Sequence, residues 1–447
     1  MVLGFLKKKE ISPYQKDEAS EIPVIKITVV AFEDDCLDNS GKILAQFLEK
    51  KPHFEVCYYD DVFNKKFLDL QSRNFFDFID TGKQILKKTK SEILIWGHRE
   101  QNNLRLNFQT SDQYEKFKIP FFSLLNSLYL PIDYFQERTL SASVLNLIVA
   151  IIFMVSNKPE YMKILSETVE NINSTNPPKD LDIKYMPYIL NLLALTYLTA
   201  VKDNLKKQDI KIVSSILKSA LTYLKTENKS VLIGLIYTNF GQIYQLAADL
   251  NIDDKYINCK FATDFYNLAL KYFPRYTYPY DFGHTAYQLS KLYFDYWRYS
   301  ADIQFLRNAV FQLREAQKVF TQITFPYFWA TIQKDLGQYL SMIAIFSRNK
   351  EIVTIAIDAY KNYQKVYNSD VYPIEWAEVQ ENIGNILFEC GKIYNDEEYF
   401  DDAMEYYVES LDVYEKHNIA KGKKRVEVCL AKIDENIFRI SNMNLLY

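Results

Sequence analysis

The histidines are the first side chains to consider for chemistry, because metal sites and general base catalysis most often use them. His53, His98, His284 and His417 lie far apart, and none has the spacing of metal ligands. No glycine-rich phosphate loop or nucleophile motif occurs either. His98 follows Gly97, the predicted end of an apolar strand, where α/β proteins place ligand sites; a hairpin with surface charges explains the same residues. We therefore predict no catalytic residue, no metal site and no cofactor.

An acidic cluster near the N-terminus is the second candidate. Glu33, Asp34 and Asp35 follow an apolar run and could bind a cation or form the acidic pocket of a phospho-receiver domain. A receiver also needs an Asp after a later strand and a Lys beyond it, whereas Asp60 and Asp61 end the second predicted strand. We expect a solvated loop.

The elements that would position these residues alternate between strands and helices. Apolar runs rich in β-branched residues predict strands, and apolar residues at helical spacing predict helices. The predicted strands cover residues 22–34, 54–59, 92–96 and 104–108, and the predicted helices cover residues 40–50 and 74–88. This order predicts a small α/β domain at residues 22–115, after a disordered tail at residues 1–21.

Residues 27–32, 91–97 and 104–108 resemble the N-terminal domain of TolB-like proteins. That domain opens with an apolar strand ending in Phe, and later carries an apolar strand, a Gly and a hairpin strand. The resemblance covers residues 22–112 and implies a non-catalytic α/β domain. Two prolines among aromatic residues at 117–135 predict an irregular connector, and residues 116–180 are interpreted as this connector plus leading helices.

The C-terminal part repeats itself every 47 residues. A small residue, a large residue four positions later and an aromatic residue farther on return at this step, and prolines precede each unit. The clearest members are Ala262, Ala309, Ala356 and Ala403, then Tyr266, Leu313, Tyr360 and Tyr407, then Pro279, Pro326 and Pro373. A period in this range predicts a solenoid of helix pairs, here at residues 181–440 with a C-terminal capping helix. An unrelated helical bundle is the alternative.

The units resemble the tetratricopeptide repeat of bacterial proteins. Leu336-Gly337 followed by Ala356 and Tyr360 carries the resemblance, as does the Pro-x-x-Trp-Ala-x-x-Gln entry at residues 326–333. The resemblance implies a right-handed solenoid, and the predicted class is α+β, mostly α. The period exceeds the roughly 34 residues of that repeat. Long helices, or expanded loops at residues 345–351 and 391–398, must therefore absorb the difference.

The same resemblance implies that the first helix of each pair lines a groove that binds a protein. The implied contacts are His284, Tyr287, Lys291, Thr331, Lys334, Gln338, Glu378, Glu381 and Asn385. A run of tyrosines beside an arginine is a second candidate contact site, because Tyr and Arg are enriched at interface hot spots. Its residues are Arg275, Tyr276, Tyr278 and Tyr280; packing of a long loop explains the three tyrosines as well.

Composition limits the classes of function. The net charge of −4 argues against a general nucleic-acid binder, and the five cysteines form no C-x-x-C pair, as expected for thiols in a reducing cytoplasm. The apolar run at residues 144–155 is too short to span a bilayer and predicts a buried helix. We predict a cytoplasmic, non-enzymatic scaffold or adaptor that binds a partner protein. The alternatives are a sensor of a nucleotide or other small molecule, and a structural subunit of a large assembly; the oligomeric state is left open.

Overall fold

A computed structural model describes most of the chain. The described residues are 24–32, 39–62, 74–100, 103–110, 127–131, 142–156, parts of 161–168, 185–224, 230–323 and 325–444. The predicted tail at residues 1–21 and the acidic cluster at residues 33–35 lie outside them. The protein is α+β and mostly α, with a small N-terminal sheet followed by helices in a solenoid-like arrangement.

The N-terminal sheet has five strands in the described residues. The strands are β1 (Ile25–Ala31), β2 (Phe54–Val62), β3 (Ile93–Glu100), β4 (Asn103–Thr110) and β5 (Ser127–Pro131). Their order is β2-β1-β3-β4-β5. The strands β2, β1 and β3 are parallel, whereas β4 and β5 continue as antiparallel neighbours. The predicted order of strands and helices is confirmed as far as β4.

Two local predictions for the sheet are wrong. The strand β3 does not end at Gly97, because Gly97 pairs with Leu106 and the ladder continues to Glu100. A Cβ at Gly97 would lie 3.0 Å from the Arg105 carbonyl oxygen, so the glycine serves the close approach of two strands. The predicted connector contains β5, in which Leu128 and Leu130 are fully buried.

Helices cover the sheet. The helices α1 (Ser40–Glu49), α2 (Asn74–Thr89) and α3 (Ala142–Ser156) belong to this part of the chain. Residues of α1 and α3 share a hydrophobic core with one face of the sheet, because alternate strand residues such as Ile27 and Ile95 point toward them. The prediction of a buried helix at residues 144–155 is confirmed, since nearly all its apolar side chains lie in this core. No helix in the described residues is long and apolar enough to cross a membrane.

The remaining helices form consecutive antiparallel pairs, and each 47-residue period supplies one pair. The pairs are α4 (Met186–Val201) with α5 (Lys207–Leu224), α6 (Ser230–Asp249) with α7 (Lys255–Leu270), α8 (Pro279–Ser300) with α9 (Ile303–Gln317), α10 (Pro326–Ser347) with α11 (Lys350–Gln364), and α12 (Pro373–Tyr394) with α13 (Glu397–Lys416). A single helix, α14 (Ala420–Asn444), follows the last pair at the predicted capping position.

The long period is absorbed by long first helices. Each of α8, α10 and α12 has 22 residues and begins at a proline, whose missing N–H costs nothing in the first turn. The predicted expanded loops are wrong, because two residues separate α10 from α11 and α12 from α13. The first of them, Arg348 or Asn395, has positive φ, and the second, Asn349 or Asp396, caps the next helix with its side chain.

Small residues in the first helices let the paired helix approach closely, as predicted. A Cβ at Gly337 would lie 2.7 Å from the Tyr360 ring, and one at Gly384 would lie 2.8 Å from the Tyr407 ring. The ring of the second helix, rather than its repeated alanine, therefore occupies the space above the glycine. The repeated alanines are fully buried.

The chain divides into two compact units, Met1–Thr285 and Ala286–Tyr447. The first unit contains the sheet and the helices up to the start of α8, and the second contains the later helix pairs and α14. The domain limits predicted at residues 115 and 180 stay predictions.

Candidate functional site

The predicted groove residues fall at three positions on successive first helices. Within each helix the positions are spaced by three and four residues, which places them on one face. The first position holds His284, Thr331 and Glu378; the middle position holds Tyr287, Lys334 and Glu381; the outer position holds Lys291, Gln338 and Asn385.

The first position differs in burial between repeats. His284 is only 9 % exposed, and burial lowers its pKa to about 4, so the imidazole is neutral at physiological pH. The Thr331 hydroxyl donates to the Tyr327 carbonyl oxygen at 3.2 Å within its own helix. Glu378 is exposed. Of these three residues, Glu378 therefore presents a charge to solvent.

The middle position connects each first helix to the next. The Tyr287 hydroxyl of α8 donates to Oδ2 of Asp335 in α10 at 3.0 Å. The Lys334 Nζ atom of α10 lies 3.0 Å from Oε2 of Glu378 in α12. Burial raises the pKa of the Asp335 carboxyl, although the Tyr287 hydroxyl and the nearby Lys291 and Lys334 oppose the shift. These side chains therefore hold neighbouring repeats in register.

Glu381 makes the third of these connections. The Arg425 guanidinium of α14 donates from Nε to Oε1 at 2.7 Å and from Nη2 to Oε2 at 2.8 Å. The buried Tyr414 hydroxyl also donates to Oε2, at 2.8 Å. Glu381 is 8 % exposed, so its carboxylate already has internal donors and little surface for a partner.

The outer position is exposed in all three repeats. Lys291, Gln338 and Asn385 each reach solvent, and with Glu378 they form what we call the outer row. Part of the row is also held internally. The Lys291 ammonium lies 5.7 Å from the centroid of the Tyr287 ring, and the Asn385 Oδ1 atom accepts from the Tyr407 hydroxyl at 2.8 Å. The row is therefore the accessible part of the predicted groove face.

The predicted tyrosine hot spot separates into surface and core. Tyr276 is 75 % exposed, and its hydroxyl accepts from Arg275 Nη2 at 2.8 Å. Tyr280 is 8 % exposed and its pKa is raised by burial, as expected of a packed ring. Burial also raises the pKa of Tyr278, against the opposing charge of Arg105 in β4. Arg275 and Tyr276 are therefore the pair whose geometry suits a partner contact.

His98 lies inside β3, opposite Arg105 of β4, and its ring stacks on Trp96 with centroids 6.2 Å apart. It is 4 % exposed. His98 therefore lies within a strand, whereas the sequence predicts a position just after a strand end. Across the described ranges, no group of three or more His, Cys, Asp or Glu side chains could hold a metal ion.

Sequence reasoning missed two residues of the face, Asp335 and Arg425. Arg425 lies 47 residues after Glu378, so α14 continues the first-helix pattern with a basic residue where the preceding repeat has an acid. The period could therefore have identified it. Asp335 follows Lys334 directly, and no repeat signal marks it.

Comparisons with known proteins identify no family for this chain. No protein-family model matches the chain, and no curated protein matches it. Among solved structures, the chain is similar to the crystal structure of BtubC (BKLC) from P. vanneervenii, with 16 % identity over 60 % of this chain and 91 % of that one, and a TM-score of 0.32. A similarity this low carries no argument about fold or function.

Proposed function

We propose that the protein is a cytoplasmic, non-enzymatic scaffold of the tetratricopeptide type that binds another protein along the outer row. The supporting observation is a contrast between buried and exposed positions of the repeat. The buried positions keep a glycine under a tyrosine ring in two of the three repeats, as in Gly337 with Tyr360, and a buried Ser290 with Leu313 in the other. The exposed outer positions change from Lys291 to Gln338 to Asn385. Packing constrains the buried positions, whereas the exposed positions are left to vary with a ligand.

The outer row suits a peptide or helix of mixed charge. Lys291 supplies a cation and Glu378 an anion, while the carboxamides of Gln338 and Asn385 donate and accept hydrogen bonds. Carboxamides can bind the backbone of a peptide as well as its side chains. Exposed charges contribute specificity and association rate more than affinity.

Affinity purification of the full chain, read by mass spectrometry, tests the proposal. The variant Lys291→Glu/Gln338→Glu changes the net charge by three at two exposed positions. The variant Lys211→Glu/Lys218→Gln makes the same change at two exposed positions of α5 and is the matched control. We expect a stoichiometric partner with the wild type and the control, and its loss from the first variant.

Equal recovery of the partner by both variants contradicts the outer row as the binding site. A wild-type sample without any stoichiometric partner contradicts the scaffold itself. The small-molecule sensor stays a prediction, because no observation in the described part of the sheet favours a ligand site there. The structural subunit stays a prediction as well.

A further inference from the structure

The second helices of the C-terminal unit expose a stripe on their outward side. In α9, α11 and α13, counting the C-cap residues Lys318 and Lys365, the stripe residues are spaced by four, three and four positions, which places them on one face of each helix. They also stand 47 residues apart between helices, so they occupy corresponding places in successive repeats. The stripe residues are Arg307, Phe311, Arg314 and Lys318; Thr354, Asp358, Lys361 and Lys365; and Asp401, Glu405, Val408 and Asp412, all of them exposed.

The charge of this outer stripe reverses from one end to the other. On α9 every charged member is basic, although Lys318 forms an internal ion pair with Glu315. The stripe on α11 mixes one acidic with two basic residues. On α13 every charged member is acidic. The stripe is therefore a charge gradient across three neighbouring repeats of one compact unit, residues 286–447.

Large apolar side chains are exposed at the same surface. Phe311 is 59 % exposed on α9, and Val408 is 43 % exposed on α13. Ile355, beside the stripe on α11, is 46 % exposed. Apolar side chains ringed by charged ones are typical of the centre of a protein interface.

We propose that this outer stripe docks on the stripe of a second copy of the chain, in a two-fold dimer whose axis runs along α11 and parallel to it. That axis places α9 of each copy opposite α13 of the other. The basic end with Arg307 and Arg314 then faces the acidic end with Asp401 and Glu405, twice in one dimer. A surface that carries both ends of its own charge gradient is complementary to itself, and a closed dimer needs that self-complementarity.

Electrostatics also selects this axis over the other two-fold arrangement of the same faces. A two-fold axis across the helices would place α9 against α9 and α13 against α13. Arg307 and Arg314 would then face the arginines of the other copy. Asp401 and Glu405 would likewise face its acidic residues. Juxtaposed like charges oppose association, whereas the axis along α11 pairs opposite charges at both ends. The dimer site lies on second helices and is separate from the outer row.

The dimer should be of modest affinity and sensitive to salt. Exposed ion pairs contribute little each, and their attraction is screened over about 10 Å at 0.1 M salt. Three helices with one apolar side chain each give a small contact. We therefore expect a dissociation constant on the order of 10 µM.

Sedimentation velocity of the full chain, from about 1 to about 200 µM at low salt, measures the dimer directly. We expect the wild type to change from monomer to dimer mass over this range, and to dissociate at 0.5 M salt. Arg307→Glu/Arg314→Glu should stay monomeric because both ends become acidic. Asp401→Lys/Glu405→Lys should stay monomeric because both ends become basic. Each variant should raise the dissociation constant by about 1,000-fold or more, so that it stays monomeric even at the highest concentration.

An equimolar mixture of these two variants provides the decisive result. In the mixed pair the new acidic α9 faces the new basic α13, and the unchanged α13 faces the unchanged α9, so both contacts are complementary. We therefore expect the mixture to sediment with the mass of a dimer, whereas each variant by itself stays monomeric. Lys211→Glu/Lys218→Glu, which alters exposed lysines of α5 by the same charge, should dimerise like the wild type.

A wild-type chain that stays monomeric at the highest concentration overturns the proposal. Reversal variants that dimerise unchanged overturn it as well, since they place the contact elsewhere. So does a mixture that remains monomeric, because it excludes the pairing of α9 with α13.

Discussion

Glu381 of α12 and Arg425 of α14 form a two-point ion pair, with both guanidinium-to-carboxylate distances at 2.7–2.8 Å. Glu381 is nearly buried, whereas the Arg425 side chain is 55 % exposed. The pair raises the pKa of the Arg425 guanidinium, chiefly through its hydrogen bond to Glu381. A residue expected to contact a partner therefore attaches the last helix to the last helix pair.

Replacing Glu381 should destabilise this end of the protein. Glu381→Ala leaves the buried Tyr414 hydroxyl without its acceptor and removes both contacts to Arg425, so we expect a loss of about 1–3 kcal/mol. The exposed acid Glu378 is the control, and Glu378→Ala should cost less than about 1 kcal/mol. Calorimetric unfolding measures both, and equal losses would contradict the structural role of Glu381.

The pairing of Gly337 with Tyr360 predicts a steric effect. Gly337→Ala places a methyl group 2.7 Å from the Tyr360 ring, which must move, at a cost of about 1–3 kcal/mol. The preceding repeat has Ser290 and Leu313, both buried, at the corresponding positions. The pair Gly337→Ser/Tyr360→Leu should therefore be more stable than Gly337→Ser alone. Chemical denaturation compares these variants with Tyr360→Leu alone, and an additive double variant would count against direct contact.

His284 should make the protein sensitive to acid. Its folded pKa is about 4, below the usual 6.5, so its contribution is present above pH 6.5 and is lost as the pH falls toward 4. The maximum loss is about 3 kcal/mol.

The variant His284→Gln has no proton to gain, so its stability relative to the wild type should improve steadily between pH 6.5 and 4. Melting temperatures measured across this range test the trend. His417→Gln, at an exposed position, is the control. A difference between His284→Gln and the wild type that stays constant with pH contradicts the prediction.

The sequence predicted the parts of the fold that depend on repetition and alternation. The 47-residue step located the long first helices, because buried contacts must recur when each pair packs on the next. The strands up to β4 followed from apolar runs. The strand β5 was missed because prolines and aromatic residues mark irregular segments, while Leu128 and Leu130 are buried only through pairing with β4.

The candidate face could be predicted in outline only. The resemblance to the tetratricopeptide repeat placed the nine side chains on first helices, and they do lie on α8, α10 and α12. A repeat register cannot show which of them find partners inside the chain. Tyr287 and Glu381 look like accessible residues in sequence, yet each bonds to a residue more than 40 positions away. Such contacts depend on how far neighbouring repeats are displaced, and that distance is a property of packing.

Asp335 should oppose stability at neutral pH. Burial raises its folded pKa above the usual value of 3.8, so the folded protein holds this proton more tightly than the unfolded chain does. The contribution of Asp335 to stability is therefore present at low pH and is lost as the pH rises through the raised pKa.

Asp335→Asn keeps an oxygen that can accept from the Tyr287 hydroxyl, and it stays neutral at every pH. The stability of Asp335→Asn relative to the wild type should increase from pH 4 to pH 8, as measured by calorimetry. Tyr287→Phe removes the hydroxyl but not the carboxylate, so it should destabilise the protein without reproducing that increase. A stability difference for Asp335→Asn that is independent of pH would show that Asp335 ionises in the folded chain as it does in the unfolded one.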